Sequence, residues 1–178
     1  IQDENAKKSD VFDTLRKQWV SMDGPRSIIQ SLRAYQPAFL DCVNGGNESG
    51  IGESVSKLIG NMVKMKRPSS IYPFLMRLVK SSSTGEMEVA DAVEVLEVLE
   101  SFLVRRAVCG IEPTGLHAVF KKLWSECDGQ PTGTSVRVAI QNRSTVPWPA
   151  DDVVRKAVRE RPLYKSAIAR YVIGEYDR

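Results

Sequence analysis

The clearest pattern of apolar and polar positions lies near the middle of the chain, over residues 86–110. Val95, Leu99 and Phe102 repeat at the i, i+4, i+7 spacing of one helix face, which predicts a long helix. A second apolar stripe runs beside the first, so we expect this helix to pack on more than one side. The next position of the first stripe is Arg106. The pattern therefore places a guanidinium where a core residue is expected.

The same spacing predicts helices along the rest of the chain. They cover residues 4–21, 27–43, 53–66, 71–80, 115–126, 151–161 and 164–176. In the second of these we expect six residues to face the core: Ile28, Ile29, Leu32, Tyr35, Phe39 and Leu40. Pro37 should kink or split that helix, because proline removes a backbone donor. Residues 135–142 alternate like a strand, yet a single short strand would have no partner, so we favour a helix there.

Together these elements predict an all-α fold, a multi-helix bundle of about eight or nine helices with no substantial sheet. We expect two parts: residues 1–80 as an N-terminal helical subdomain, and residues 81–178 as the central long helix plus a C-terminal helical subdomain. Gly110 and Pro113 should end the long helix, because glycine accepts a left-handed backbone and proline cannot continue a helix. Thr114 should cap the helix that follows.

The composition is that of an ordinary globular protein: 178 residues, 42% apolar and 26% charged, enough for a real core. The net charge of +3 is unevenly distributed. Residues 101–178 carry 13 Lys and Arg against 8 Asp and Glu, whereas residues 1–100 carry 12 against 14. The basic C-terminal part suits either a polyanionic partner or a solvated basic face, and charge alone leaves both open.

Several classes of protein are disfavoured by what the sequence lacks. It has no apolar run long enough to cross a membrane and opens on no secretory signal, so we expect neither membrane contact nor secretion. Three cysteines without a paired motif and a single histidine argue against a zinc site and favour a reducing cytoplasm. Glycine-rich phosphate motifs and metalloprotease motifs are missing. We therefore expect no catalytic residue, no metal and no cofactor in this chain.

Arg105 and Arg106 are the residues that the helical pattern explains least. A buried guanidinium must find a carboxylate, backbone carbonyls or an anionic ligand, because an unpaired buried charge costs several kcal/mol. One interpretation is structural: a buried ion pair, or a cation at the negative end of the helix. The other is contact with phosphate or nucleic acid, in which case Lys121, Lys122 and Arg137 would share the surface.

Other candidate groups fit ordinary structural roles better than chemical ones. His117 is expected on the outer side of its helix, with no nucleophile or orienting carboxylate in view. Trp124 and Trp148 could stack on bases, but we expect them to pack in the core. Acidic residues recur every third position along the long helix, a spacing that drifts around it, so we expect a solvated acidic edge rather than a metal site. These residues are Asp91, Glu94, Glu97 and Glu100.

An ordered set of short motifs resembles one known family. The set comprises YPFL at 72–75, ESFLVRRAVCG at 100–110, PTGL at 113–116, FKKLW at 120–124, WPADD at 148–152, LY at 163–164 and RYVI at 170–173. In this order and spacing it is similar to motifs of the GmrSD-type modification-dependent restriction endonucleases, over residues 70–178. Before residue 70 only the helical character agrees.

The resemblance implies that this chain is the helical middle region of such a protein. Members of the family are similar in layout: an N-terminal ParB-like nucleotide-hydrolysing domain, a helical middle and a C-terminal His-Asn-His nuclease. The Asp-Gly-Gln-Gln-Arg motif of the first domain and the histidines of the last are missing from this sequence. The chain also begins with Ile rather than Met, so we expect a piece of a longer cytoplasmic protein.

The sequence leads to one function and an alternative. We expect a helical linker or scaffold of a DNA-modification-dependent restriction (anti-phage defence) protein, which couples a nucleotide-hydrolysing domain to a nuclease domain. Its partners would be those other domains and DNA. The residues that would contact DNA are Arg105, Arg106, Lys121, Lys122 and Arg137. The alternative is a stand-alone α-helical protein-interaction or regulatory module without nucleic-acid contact, in which Arg106 forms a buried salt bridge.

Overall fold

The computed structural model describes residues 12–13, 16–17, 19 and 25–176 of the chain. Residues 25–176 form eight α-helices and two 3-10 turns and contain no strand, which confirms the predicted all-α fold. No helix of this described part is long and apolar enough to cross a membrane. The helices are α1 (Pro25–Asn44), α2 (Glu53–Lys64), α3 (Tyr72–Ser83), α4 (Val89–Cys109), α5 (Leu116–Glu126), α6 (Gly133–Gln141), α7 (Asp151–Glu160) and α8 (Ala167–Tyr176), with turns at Ser69–Ile71 and Leu163–Lys165.

The helix predicted over residues 4–21 falls mostly outside the described residues. Those of its residues that are described, at 12–13, 16–17 and 19, are helical.

Helix α1 meets the core through only part of the face that its sequence predicts, since Ile28, Tyr35 and Leu40 are half-buried. Ala38 and Cys42 are buried, whereas Ile29, Leu32 and Phe39 are 50%, 67% and 45% exposed. The prediction that these three large residues face the core is therefore wrong. Helix α1 packs on α3 and α2, and the side chains that it buries are short ones: Ala38, Asp41 and Cys42.

Helix α4 is the centre of the fold. It packs on α2 and α3 and also on α6, α7 and α8. More than one of its sides is therefore buried, as its two apolar stripes predict. The buried positions are Ala92, Val95, Leu96, Val98, Leu99, Phe102, Leu103, Arg106 and Val108. Helices from residues 1–80 and from residues 81–178 contribute to one hydrophobic core.

The ends of the helices agree with the sequence in part. Gly110 adopts a left-handed conformation, with φ of 67°, and ends α4 as predicted. At the start of α5 the N-cap is Gly115, without a side-chain hydrogen bond, so the predicted cap by Thr114 is wrong. The segment that could have been a strand is helix α6, which starts with a capping box at Thr132. Pro37 lies inside α1, which continues past it as one helix.

One residue of the acidic row on α4 has a structural role. Glu100 Oε1 accepts a hydrogen bond from Asn61 Nδ2 of α2 at 3.2 Å, and another from the hydroxyl of Tyr171 in α8. The expectation of a solvated edge is wrong for this carboxylate, which is partly buried. It joins three helices, since one carboxylate can accept several hydrogen bonds at once.

Candidate functional site

The arginine pair near the end of α4 binds a segment that lies about forty residues later in the chain. Arg106 is only 3% exposed, as its place on the apolar stripe predicts. Its Nη1 donates a hydrogen bond to the carbonyl of Pro147 at 3.2 Å, and its Nη2 donates one to the carbonyl of Glu112 at 2.7 Å. A buried guanidinium thus finds backbone carbonyls, which is one of the three solutions that the sequence leaves open.

Arg105 reaches the same segment from the neighbouring position. Its Nη1 donates to the carbonyl of Pro149 at 3.1 Å, and its Nε donates to Ser101 Oγ at 3.2 Å. Its Nη2 forms an ion pair with Asp151 Oδ1 at 2.6 Å. We call Arg105, Arg106 and residues 147–151 the arginine clamp.

The chemistry of the two partners explains why the clamp forms. Proline has a backbone carbonyl but no N–H, so the extended segment at Pro147 and Pro149 offers acceptors and few donors. Arginine has five N–H donors and no acceptor. Two adjacent guanidinium groups therefore satisfy carbonyls that have no helix or sheet partner of their own.

Aromatic rings complete the contact between α4 and this segment. Trp148 stacks on Phe102, with ring centroids 5.3 Å apart and an interplanar angle of 26°. The guanidinium carbon of Arg106 lies 5.5 Å from the Phe102 centroid, and that of Arg137 lies 5.4 Å from the Trp148 centroid. Trp148 is thus partly buried against the core, as predicted.

A further arginine, which the sequence does not single out, caps the end of α4. Arg161 Nη1 donates to the carbonyl of Val108 at 2.6 Å. The last carbonyls of a helix have no partner within it and carry partial negative charge, so a cation there is favourable. No local spacing reveals this contact, because Arg161 and Val108 are far apart in the chain.

Helix α7 is consequently tied to α4 at both ends. Asp151, in its first turn, pairs with Arg105, and Arg161, just past its last turn, binds Val108. Between them α7 buries only Ala157. Val154 is partly buried and also packs against the core. The apolar contact of α7 is still small, so its polar contacts contribute a large share of what holds it in place.

Two ionisable groups of the clamp have shifted pKa values. Burial lowers the pKa of the Arg106 guanidinium, because a charged group is less stable away from water. The pKa of Asp151 is also lowered, first by its hydrogen bond from Arg105 and then by the charge of that arginine.

The other predicted site residues are only partly brought together. Arg137, on α6, reaches the clamp through Trp148. Lys121 and Lys122 lie on α5, which packs mainly on α3, α6 and the Ser69–Ile71 turn, and the clamp includes neither. His117 is exposed, as predicted.

An open groove with a volume of about 660 Å³ lies between α1, α3, the start of α4 and the loop before α6. Lys80 Nζ lies 4.3 Å from the centre of the Tyr35 ring on one side. Acidic residues at 86, 88 and 91 face this basic side, so neither charge dominates. The described residues that line the groove include neither histidine nor cysteine. Ser81 Oγ donates a hydrogen bond to Glu86 Oε2 at 3.3 Å there, in a contact that is exposed to solvent.

Two of the three cysteines are buried thiols that do not suit a reactive centre. Cys42 and Cys127 are buried, and burial raises the pKa of Cys42 to about 12 and also raises that of Cys127. Both thiols are therefore protonated near neutral pH, the form that is a poor nucleophile. Among the residues that the structure describes, no three His, Cys, Asp or Glu side chains lie together as metal ligands would.

Comparison of the chain with models of protein families, with curated proteins and with solved structures finds no match in any of the three.

Replacing Asp151 by Asn tests the ion pair of the clamp through its pH dependence. Arg105 lowers the folded-state pKa of Asp151 below its ordinary value of 3.8. The pair therefore stabilises the folded protein above that pH, and this stabilisation is lost as the pH falls through the lowered pKa. We expect Asp151→Asn to lower the free energy of unfolding by a constant amount near neutral pH. The difference in free energy of unfolding between the variant and the wild type should disappear in acid. Denaturant unfolding followed by circular dichroism measures this difference.

Asp152→Asn is the matched control for this measurement. Asp152 lies in the same first turn of α7, so both variants lose a similar interaction with the helix dipole. We expect Asp152→Asn to change the free energy of unfolding by less than Asp151→Asn does. Equal pH profiles for the two variants would show that Arg105 does not stabilise the charged form of Asp151.

Proposed function

We propose that this chain is a helical scaffold, in which the arginine clamp has a structural role and fixes the C-terminal helices to the long helix α4. The observation that carries the proposal is the attachment of α7 at both ends, through Arg105 to Asp151 and through Arg161 to Val108. Both contacts join segments that are distant in the chain. Contacts of this kind would keep the distance and orientation between the two ends of a scaffold constant.

The dimensions of α4 suit this role. The helix has 21 residues, and at 1.5 Å per residue it is about 30 Å long, the width of a small domain. Five of the other helices pack on it. A buried helix of this length, held on several sides, resists bending and can keep attached segments apart.

We further propose, on the sequence resemblance alone, that the scaffold belongs to a GmrSD-type restriction protein and connects its nucleotide-hydrolysing and nuclease domains. The sequence that follows Arg178 in the full-length gene product tests this part. Nuclease histidines in a His-Asn-His arrangement downstream would support it. A stop codon directly after Arg178 would contradict it without affecting the scaffold proposal.

The second candidate function is an interaction or regulatory module without nucleic-acid contact. It is favoured by one observation: Arg106 is buried and its Nη1 and Nη2 bind backbone carbonyls, so these donors are not free for a phosphate. In this second candidate, as in the scaffold, the arginine pair serves the fold. The two differ in whether DNA is bound by the remaining exposed cations, Lys122 and Arg137.

Hydrogen exchange tests the scaffold role. We expect Arg105→Ala and Arg161→Ala each to increase amide exchange in residues 147–161, because α7 buries little apolar surface and depends on its polar contacts. Exchange in α2 and α3 should remain at the wild-type level. Mass spectrometry of deuterium uptake in the native protein provides the measurement.

Arg159→Ala is the control, since Arg159 is exposed and lies on the same helix. Substitutions at such sites usually change stability by no more than about 0.5 kcal/mol. If Arg159→Ala loosens α7 as much as the other two variants do, the contacts to α4 are not what fixes it. If none of the three changes exchange there, the scaffold role of the clamp is contradicted.

Salt-dependent DNA binding separates the two candidate functions. Fluorescence anisotropy with a DNA duplex should be measured at about 50 mM and about 200 mM salt, because each phosphate contact steepens the salt dependence. If DNA is bound, we expect Lys122→Gln and Arg137→Gln to weaken binding. Arg105→Ala and Arg106→Ala should instead lower the melting temperature and leave the salt slope unchanged. A reduced slope in the last two variants would show that the pair contacts phosphate, and an absence of salt-dependent binding would favour the module without nucleic acid.

A further inference from the structure

A small cavity is lined in part by Arg106. It has a volume of about 230 Å³ and opens between the turn after α2, the end of α4 and the segment before α5. Its walls are mostly apolar and include Leu103, Ile111, Leu116 and Ile168. The charged residues that line it are Lys66, Arg67 and Arg106. Three cations thus meet at an apolar cavity, and none of the described residues in its lining is acidic.

Arg67 lies at the cavity because the backbone turns sharply at Lys66, after the end of α2. Lys66 follows the end of α2 in a left-handed conformation, with φ of 55°, where glycine is the usual residue. The N–H of Arg67 then bonds back to the carbonyl of Met62 at 3.4 Å, which closes the end of the helix. A lysine in this conformation costs about 1 kcal/mol or more relative to glycine. The turn therefore keeps two cations side by side at a site where an uncharged glycine would be less strained.

Both arginines keep unsatisfied donors, and the guanidinium carbon of Arg67 lies 4.9 Å from the centre of the Tyr72 ring, outside the cavity lining. Nε of Arg106 and Nε and Nη2 of Arg67 are buried and have no hydrogen-bond partner among the described residues. The Arg106 donors that are bonded reach neutral carbonyls, and neither guanidinium has a carboxylate within ion-pair distance in the described part of the chain. Buried unsatisfied donors and uncompensated charges are both costly. An anion in the cavity would offset the uncompensated charge.

We propose that this cavity binds a small amphiphilic anion, with a carboxylate or phosphate group beside Arg67 and Lys66 and a compact apolar part against Leu103 and Ile111. The three cations select the negative charge, and the apolar walls select the body of the ligand. The volume lies below the ~300–1,000 Å³ of pockets for drug-sized molecules, so the ligand is small. A nucleic-acid duplex is too wide to enter such a cavity.

Four compounds probe this site on the protein of residues 1–178. Benzoate and benzamide have nearly the same shape and differ in charge, whereas phenyl phosphate and inorganic phosphate share a head group and differ in the apolar part. Amide chemical shifts of residues 65–68, 103–107 and 111–116 should be followed during titration at constant ionic strength. We expect benzoate or phenyl phosphate to bind with Kd of about 1 mM, as suits fragments of this size. Benzamide and inorganic phosphate should bind at least about tenfold more weakly, since each lacks one of the two features.

Two variants test the residues. Arg67→Gln keeps most of the side-chain volume but removes the charge, and we expect it to weaken binding about tenfold or more, since hydrogen bonds to charged groups are the stronger kind. Ala107→Leu should fill the cavity and also weaken binding, and Ala107 is exposed enough for the fold to tolerate the change. Lys64→Gln is the control, because Lys64 is an exposed cation of α2 outside the cavity lining. Arg106 itself is left unchanged, since its substitution would also break the clamp.

The outcomes separate an anion-binding cavity from one that binds without regard to charge and from a DNA-binding surface. Tighter binding of phenyl phosphate assigns the site to phosphate monoesters, and tighter binding of benzoate assigns it to carboxylates; either supports the proposal. It is overturned if benzamide binds as tightly as benzoate, if Arg67→Gln or Ala107→Leu leaves the affinity unchanged, or if neither aromatic anion shifts the cavity amides at concentrations of about 20 mM, well above the expected Kd. It is also overturned if a DNA duplex, but neither aromatic anion, shifts them.

Discussion

The pairing of guanidinium donors with proline carbonyls is the interaction on which the C-terminal third of this fold depends. The segment before α7 contains prolines, which cannot donate from the backbone, and it lies outside any helix or sheet that could satisfy its carbonyls. Arg105 and Arg106 supply the missing donors from a helix that is itself held on several sides. The position of α7 is therefore set by its polar contacts with α4 more than by apolar side chains of its own. This explains how a helix with a single buried residue keeps a fixed place.

The sequence predicts the helices of this fold far better than their contacts. Helical spacing identifies α4, its buried stripes and the unusual place of Arg106, because all of these depend on neighbouring residues. The same reasoning is wrong for Leu32 in α1, since periodicity reveals an apolar stripe but not whether another element covers it. The partners of Arg106 and the role of Arg161 could not be predicted, because each contact depends on how distant segments meet in three dimensions.

Arg106 remains charged in the interior because its surroundings are polar where they touch it. Neutral carbonyls bind two of its nitrogens and the face of Phe102 lies nearby, so the charge is solvated by dipoles rather than cancelled by a counter-ion. Burial lowers its pKa, but guanidinium starts from a very high value and stays protonated at physiological pH. One side chain thus binds two carbonyls of the fold and also lines the cationic cavity. Lysine could not replace it in both respects, because its ammonium lacks the planar fork and loses its proton more readily when buried.

Gly110, at the end of α4, packs closely against the side chain of Arg161. Its left-handed backbone already favours glycine, and a Cβ at this position would also overlap the guanidinium of Arg161. The two residues therefore share one volume, and each limits what evolution can place at the other. A larger residue at 110 would require the Arg161 guanidinium to move, which would break its hydrogen bond to the carbonyl of Val108. Covariation between these positions, with glycine retained wherever arginine is present, is the signature that this shared space would leave among relatives of the chain.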